Sequence, residues 1–415
     1  MTDRVFQLIG SCNNFPWGQK GSKSLAARLC AKADKEFSPE DDKPYSELWF
    51  GDYPDFPARV LSTRELLSDV LDKNKETLLG KRVIEEELLY SGGKQTGQHL
   101  PYLPKILSIA KALPLQIHPD KYLAEKLHAE DPETFTDANH KPEIAIALTP
   151  FEVFAGFKPA QEIQALFTQI PDLRQFIPDS AQNSTNWDEN SLRELVLTVL
   201  RATPETVKSV AAALQKADLS SMKKQTYIQD LLPRLQEQYS ERDPATLVAL
   251  LTMNYMTLLP GEALYIPADG IHAYLSGDIV ECMARSNNVV NAGFCGPSEM
   301  NNLELFAKSL TFGEQNVEDL YLKYEEIGSS KTRVYNPPIR EFRVLRTTLG
   351  GGDFEVLGQY DGPGVFIVTK GRGQFKADGK EFGLEEGSIY FVAPGVEVQF
   401  EASKDQELEV FTVVV

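Results

Sequence analysis

The stretch Gly261-Glu262-Ala263-Leu264-Tyr265-Ile266-Pro267-Ala268-Asp269-Gly270-Ile271-His272 has a counterpart later in the chain, Gly387-Ser388-Ile389-Tyr390-Phe391-Val392-Ala393-Pro394-Gly395-Val396-Glu397-Val398. Each opens on a turn glycine, runs through a short apolar strand, meets a Pro/Gly corner and starts a return strand. A strand–corner–strand unit used twice is accounted for by two double-stranded β-helix, or jelly-roll, barrels, so the expected fold is mainly β. The copies differ at their last position. His272 closes the first and Val398 the second, so only the first barrel offers a metal ligand there.

Outward from this pair, strand signals persist from Leu258 nearly to the C-terminus, with Asp361-Gly362 and Asp378-Gly379 as turn dipeptides. From Ala160 to about Met253 the periodicity is helical instead. Ile163, Leu166, Phe167 and Ile170 fit one face; Thr203-Pro204-Glu205 reads as cap, first-turn proline and early carboxylate; Val207, Val210 and Leu214 form one stripe. This block is expected to be an α-helical domain inserted into the β framework. Ahead of it, residues 106–118 and 143–148 read as strands, and Asp120 between them caps a short helix with Leu123 and Leu127 at i and i+4. Residues 64–90 have helical spacing, and the glycine-rich residues 91–97 are expected to be a loop able to cover a site. Residues 5–61, rich in aromatics, prolines and glycines, are expected to be irregular strands. The resulting division is 1–158 and 254–330 for the first barrel, 159–253 for the helical insertion, and 331–415 for a second, metal-free β domain.

A chain of 415 residues exceeds what one hydrophobic core supports, in keeping with several domains. Its 60 acidic against 42 basic residues, a formal charge of -18 with no segregated basic patch, argue against nucleic acid as a partner. No apolar run reaches bilayer-spanning length, and Met1-Thr2-Asp3-Arg4 has no apolar leader core, so no membrane association and a cytoplasmic location are expected. Cys12, Cys30, Cys282 and Cys295 are scattered with no CxxC pair, which reads as reduced packing residues.

The residues with chemical potential cluster around 116–143. Gln116 and His118 stand two apart on a strand and so project from one face. Glu143 opens the next strand, after His140 and Lys141, and His272 follows a turn able to aim its ring inward. One amide oxygen, two imidazoles and a carboxylate form a mixed N/O set that suits zinc with open positions; strand histidines of this kind also occur simply hydrogen-bonded. Glu281 and Arg285, four apart on an expected strand over 278–284, share a face and read as either a structural ion pair or a catalytic pair. His99 and His128 read as a loop and a helix-end residue without a role.

These segments are similar to the type I mannose-6-phosphate isomerases. Leu115-Gln116-Ile117-His118-Pro119-Asp120-Lys121, Asn139-His140-Lys141-Pro142-Glu143, Gly261-Glu262-Ala263, and His272-Ala273-Tyr274 through 277–284 carry the resemblance, with Pro16-Trp17-Gly18 and Lys43-Pro44-Tyr45-Ser46-Glu47-Leu48-Trp49, so that it spans essentially the whole chain. It implies two cupin barrels and one zinc ion per chain on Gln116, His118, Glu143 and His272. It also implies exchange of mannose 6-phosphate and fructose 6-phosphate through a cis-enediol, a step toward GDP-mannose. His140 is implied for ring opening, Lys141 for proton transfer, and Lys105 and Trp17 for lining the substrate. The chain departs from the family stretch S-D-N-x-x-R-A-G-[LF]-T-P-K, reading Ser286-Asn287-Asn288-Val289-Val290-Asn291-Ala292-Gly293-Phe294-Cys295-Gly296-Pro297, and has Pro114 where a serine is usual. Asn291 thus replaces an active-site arginine. Arg285, beside Glu281, is expected to supply the missing charge to the substrate. Alternatives are a related zinc isomerase or epimerase for another sugar, and a non-catalytic zinc-binding cupin. Oligomeric state is not legible.

Overall fold

The computed structural model describes residues 3–90, 99–184, 186–220, 222–313 and 317–415. The glycine-rich stretch 91–97 lies outside the described residues. There are two large antiparallel sheets, each folded into a barrel, and a helical block is inserted between two neighbouring strands of the first, Phe151–Phe157 and Met253–Leu258.

The spine of the first barrel is the strand His272–Ala284, which pairs with Phe151–Phe157, Leu115–Ile117, Tyr102–Ile109 and Glu143–Ala147. One strand serves both walls because it bends at Gly277, whose φ of +118 favours glycine and whose hypothetical Cβ would lie 2.6 Å from the Pro150 carbonyl oxygen. The spine of the second barrel, Gly364–Ala377, uses the same device at Gly371, with φ +86. The repeated motif is structural as well as sequential. Gly261 and Gly387 have φ of 90 and 89, the strands Ala263–Ile266 and Ile389–Val392 follow, and the return strands begin at His272 and at Val398.

Around Val398 the second barrel is apolar. Val398, Phe366, Phe400, Val392 and Val414 surround a chamber of about 20 Å³, room for about one water molecule, so side chains fill the barrel. Its sheet draws on both ends of the chain: Val5–Ile9 pairs with Ile389–Val392, and Tyr324–Ile327 pairs with Thr332–Tyr335.

Helices Ala160–Gln169, Glu189–Leu200, Pro204–Leu214, Tyr227–Gln238 and Pro244–Thr252 occupy the block between Phe157 and Met253. Thr203 accepts a hydrogen bond from the Thr206 N–H with Pro204 in the first turn, and Asp120 caps Lys121–Glu130 in the same way through Leu123. The helical core, with Ile163, Leu166, Phe167 and Leu214, joins Phe154, Phe157, Ala273 and Leu275 on the outer side of the barrel. Each fully buried large apolar side chain there contributes about 1.5–3 kcal/mol, which leaves the inner face free for other chemistry.

One expectation is corrected. Within the stretch read as irregular strands, Leu25–Ala33 is an α-helix, capped by Ser24 through the Ala27 N–H. Its Leu-Ala-Ala-Arg-Leu run has high helix propensity, and Leu25, Ala26, Leu29 and Cys30 pack into the main core. The neighbouring turn residues had masked that short amphipathic segment.

Candidate metal centre

Strand register assembles the centre. Asn291 of Val290–Gly293 lies opposite Gln116, and Gln116 lies opposite His272, which in turn faces Ala155. Directly opposed residues project to the same side, so this rung turns Asn291, Gln116 and His272 to the inner face. A second rung aligns Trp49, Lys105, Glu281 and Ala145, and Glu143 shares the face of Ala145 two residues on.

At the centre, potential ligand atoms of His118, Glu143 and His272 all lie within 4.8 Å of one another, the one such His/Cys/Asp/Glu group among the described residues. His118 and His272 are 0% exposed and Glu143 1%. The His118 Nδ1 is 2.9 Å from the Asn288 carbonyl oxygen and the His272 Nδ1 2.9 Å from that of Gly270. A carbonyl only accepts, so each Nδ1 carries the hydrogen, and the tautomer this selects has a bare lone pair on Nε2. Those two Nε2 atoms have no hydrogen-bond partner and stand 3.5 and 3.2 Å from the Glu143 carboxylate oxygens. Burial, reinforced by the positive charge of Lys141, pulls the His118 ring down to about 3, so it stays neutral. Three buried acceptors converging on one point repel each other, and a bound cation satisfies all three. The donors fit zinc: two imidazole nitrogens, a carboxylate and, beside His272 on its rung, the Gln116 amide.

A shell of hydrogen bonds fixes this set. The Tyr274 hydroxyl donates to Glu143 at 2.7 Å, and the Asn288 side-chain amide donates to Asp137 and to the Asn139 carbonyl. Beside it, the Lys105 ammonium lies 3.1 Å from Glu281, 3.8 Å from Glu47 and 4.4 Å from the centre of the Trp49 ring. Burial alone would lower the Lys105 pKa, yet Glu281 and Glu47 raise it; burial raises that of Glu281 against the pull of Lys105. Lys141 is 7% exposed, and burial followed by Lys105 lowers its pKa. Trp17 is buried in the inner cluster that contains Tyr274.

Two residues are placed differently from expectation. Arg285 lies just beyond the strand and does not turn toward the centre: its guanidinium pairs with the fully buried Asp52 and stacks 5.1 Å from the Tyr53 ring. Glu281 therefore pairs with Lys105 and not with Arg285. His140 brings its Nε2 to 2.5 Å from Glu341, a residue of the second barrel's segment. His99, assigned no role, is the other partner of Asp52 at 2.9 Å. Sequence reading also passed over Glu47, Asp137, Tyr274 and Glu341 as site residues. Of these, Glu47 carries a legible signal, standing two residues from Trp49 on one strand as Gln116 does from His118.

Comparison with known proteins gives the family and the fold. The family model described as "Phosphomannose isomerase type I, catalytic domain" matches residues 5–160, "Phosphomannose isomerase type I C-terminal" matches 334–380, and "AraC-like ligand binding domain" matches 359–415. Mannose-6-phosphate isomerase of Saccharomyces cerevisiae is 37% identical over 98% of this chain and 97% of its own, and that of Ogataea parapolymorpha 37% over 97% and 96%. In fold, the chain superposes with a TM-score of 0.79 at 24% identity on the Salmonella typhimurium mannose 6-phosphate isomerase crystallised with fructose 6-phosphate and zinc, over 99% of both chains.

Proposed function

The chain belongs to the type I mannose-6-phosphate isomerase family, and from that premise we propose that it interconverts mannose 6-phosphate and fructose 6-phosphate with one zinc ion held by Gln116, His118, Glu143 and His272. The observation that carries this reading is the convergence of the two bare Nε2 atoms and the Glu143 carboxylate, buried together where one bound cation would satisfy all three. Zinc bound there supplies positive charge that polarises the sugar's oxygens and offsets the negative charge that develops at the enediol stage.

The rest of the chemistry falls to the chain. Aldose–ketose exchange removes the C2 proton and returns one to C1. Lys141, buried beside Glu143, is the proton-transfer residue, since burial disfavours its charged form. His140, held by Glu341, serves ring opening, in which the anomeric hydroxyl loses a proton and the ring oxygen gains one. Lys105, set against Trp49 and Glu281, presents a fixed positive group, and Trp17 supplies an apolar wall. Asn291 lines the same face. The physiological place of this reaction is supply of mannose units for GDP-mannose in the cytoplasm. Four free cysteines fit a reducing compartment, and among the described residues no helix is long and apolar enough to cross a membrane.

The test is a coupled assay of the zinc-loaded protein with fructose 6-phosphate in deuterated water. Turnover with solvent deuterium entering the product, lost on chelation and restored by zinc, is expected. A fully zinc-loaded protein that isomerises neither sugar phosphate would refute the reading.

A further inference from the structure

Asn291 is 8% exposed, and its hydrogen bonds determine what it can still do. Its backbone N–H donates to Asn301 Oδ1 at 2.7 Å, and its side-chain Nδ2 donates to the Glu299 carbonyl at 3.1 Å. Of the two ends of the amide only the NH2 can donate to that carbonyl, which fixes the orientation of the side chain and leaves its Oδ1 buried with no hydrogen-bond partner. The rung with Gln116 and His272 puts this side chain on the inner face, two strand spacings, about 10 Å, from the His272 backbone. An unpaired buried acceptor attracts a donor and repels another acceptor. A sugar hydroxyl is a donor; an ionised phosphoryl oxygen is not.

The basic side chains around the centre add to the contrast. Arg285 is held by Asp52, Lys105 by Glu281 and Glu47, and His140 by Glu341. Arg285 and Lys105, like the His140 ring, already face carboxylates.

We propose that Asn291 is a sugar-hydroxyl acceptor that sets substrate choice, and that it gives the protein a further activity, the isomerisation of unphosphorylated mannose and fructose. This rests on the aldose–ketose reading above. The step is balanced without an external oxidant: the C2–H bond breaks with its proton passing to Lys141, its electron pair forms the C1–C2 double bond while the C1 carbonyl pair moves to O1, which gains a proton, and a proton then adds at C1 as the O2 hydroxyl loses its proton and C2–O becomes the carbonyl.

The experiment compares kcat/KM for mannose and for mannose 6-phosphate in the full-length zinc-loaded protein, in Asn291→Leu and in Asn291→Arg, with zinc content measured for each. The wild type is expected to isomerise both sugars. Asn291→Leu removes the acceptor and should lower kcat/KM for mannose about three- to tenfold more than for mannose 6-phosphate. Asn291→Arg should shift the ratio toward mannose 6-phosphate by about tenfold or more. Turnover of mannose 6-phosphate without mannose, or a ratio unmoved in both variants, overturns the proposal while leaving the proposed function intact. Failure to isomerise either sugar overturns both.

Discussion

Replacing Glu143 by glutamine should reverse the stability order of the protein according to whether zinc is present. Glu143 Oε1 accepts from Tyr274 at 2.7 Å and lies 3.2 Å from His272 Nε2, while Oε2 lies 3.5 Å from His118 Nε2. With zinc chelated at pH 8, above the ordinary imidazole range, both Nε2 atoms are bare acceptors facing a carboxylate. In Glu143→Gln the amide oxygen keeps the Tyr274 bond and the new NH2, at the Oε2 position, donates to His118. Satisfying one buried acceptor is worth about 1–3 kcal/mol. The lost attraction between Glu143 and Lys141 acts in the opposite direction and places the net gain toward the lower end. With zinc at a hundredfold excess over Kd, the wild type gains about 2.7 kcal/mol, whereas the variant has lost its anionic ligand and gains far less. The assay is the thermal midpoint of both proteins in chelator and in zinc, with metal content measured on the same samples. The variant should melt higher in chelator and lower in zinc. A variant that melts below wild type by the same margin in both buffers would show that Glu143 is a structural carboxylate and that the metal reasoning is wrong.

Arg285→Ala should act on stability more than on turnover: it leaves Asp52, which is 1% exposed, with His99 as its remaining side-chain partner, at a cost of about 3 kcal/mol, while zinc-loaded folded enzyme stays within a few-fold of wild-type kcat. A large loss of kcat at unchanged thermal midpoint would instead put Arg285 against the substrate. Glu341→Ala should lower kcat about tenfold without loss of zinc, and combining it with His140→Ala should be no worse than His140→Ala alone, because both act through one imidazole; additive losses in the double-mutant cycle count against that coupling. Lys158, whose ammonium caps the Leu250 carbonyl at 2.5 Å, is pulled by burial from 10.5 to about 7. Between pH 7 and 10 the unfolded chain therefore holds a proton that the folded chain lacks. Stability should rise with pH across that window, by at most about 1.4 kcal/mol per pH unit, and Lys158→Met should flatten the rise. Urea midpoints at three pH values read the slope, and parallel curves for the two proteins would rule the effect out.

The two barrels were legible because the fold depends there on local geometry. A turn glycine at positive φ, an apolar strand and a corner are properties of a dozen adjacent residues, and they recur at Gly261 and Gly387 with φ of 90 and 89. The helical insertion was legible for the same reason, through its caps and its 3.6-residue stripe. The helix Leu25–Ala33 was not, since a nine-residue segment owes its stability to packing of Leu25, Ala26 and Leu29 and not to a long periodic pattern. The candidate ligands at 116, 118, 143 and 272 could be named from strand alternation and resemblance, but not the convergence of His118, Glu143 and His272, which depends on the register of separate strands against one bent spine. Charge partners were the least legible. Arg285 and Glu281 are four residues apart, yet Arg285 went to Asp52 and Glu281 to Lys105, and His140 went to Glu341 across the domain boundary. Chain order dictates which elements form, through dihedral preference and apolar spacing acting over a few residues. Which buried charge meets which is decided only when strands distant in sequence come into register, because a long side chain just past a strand's end can turn either way and takes the partner that burial leaves it.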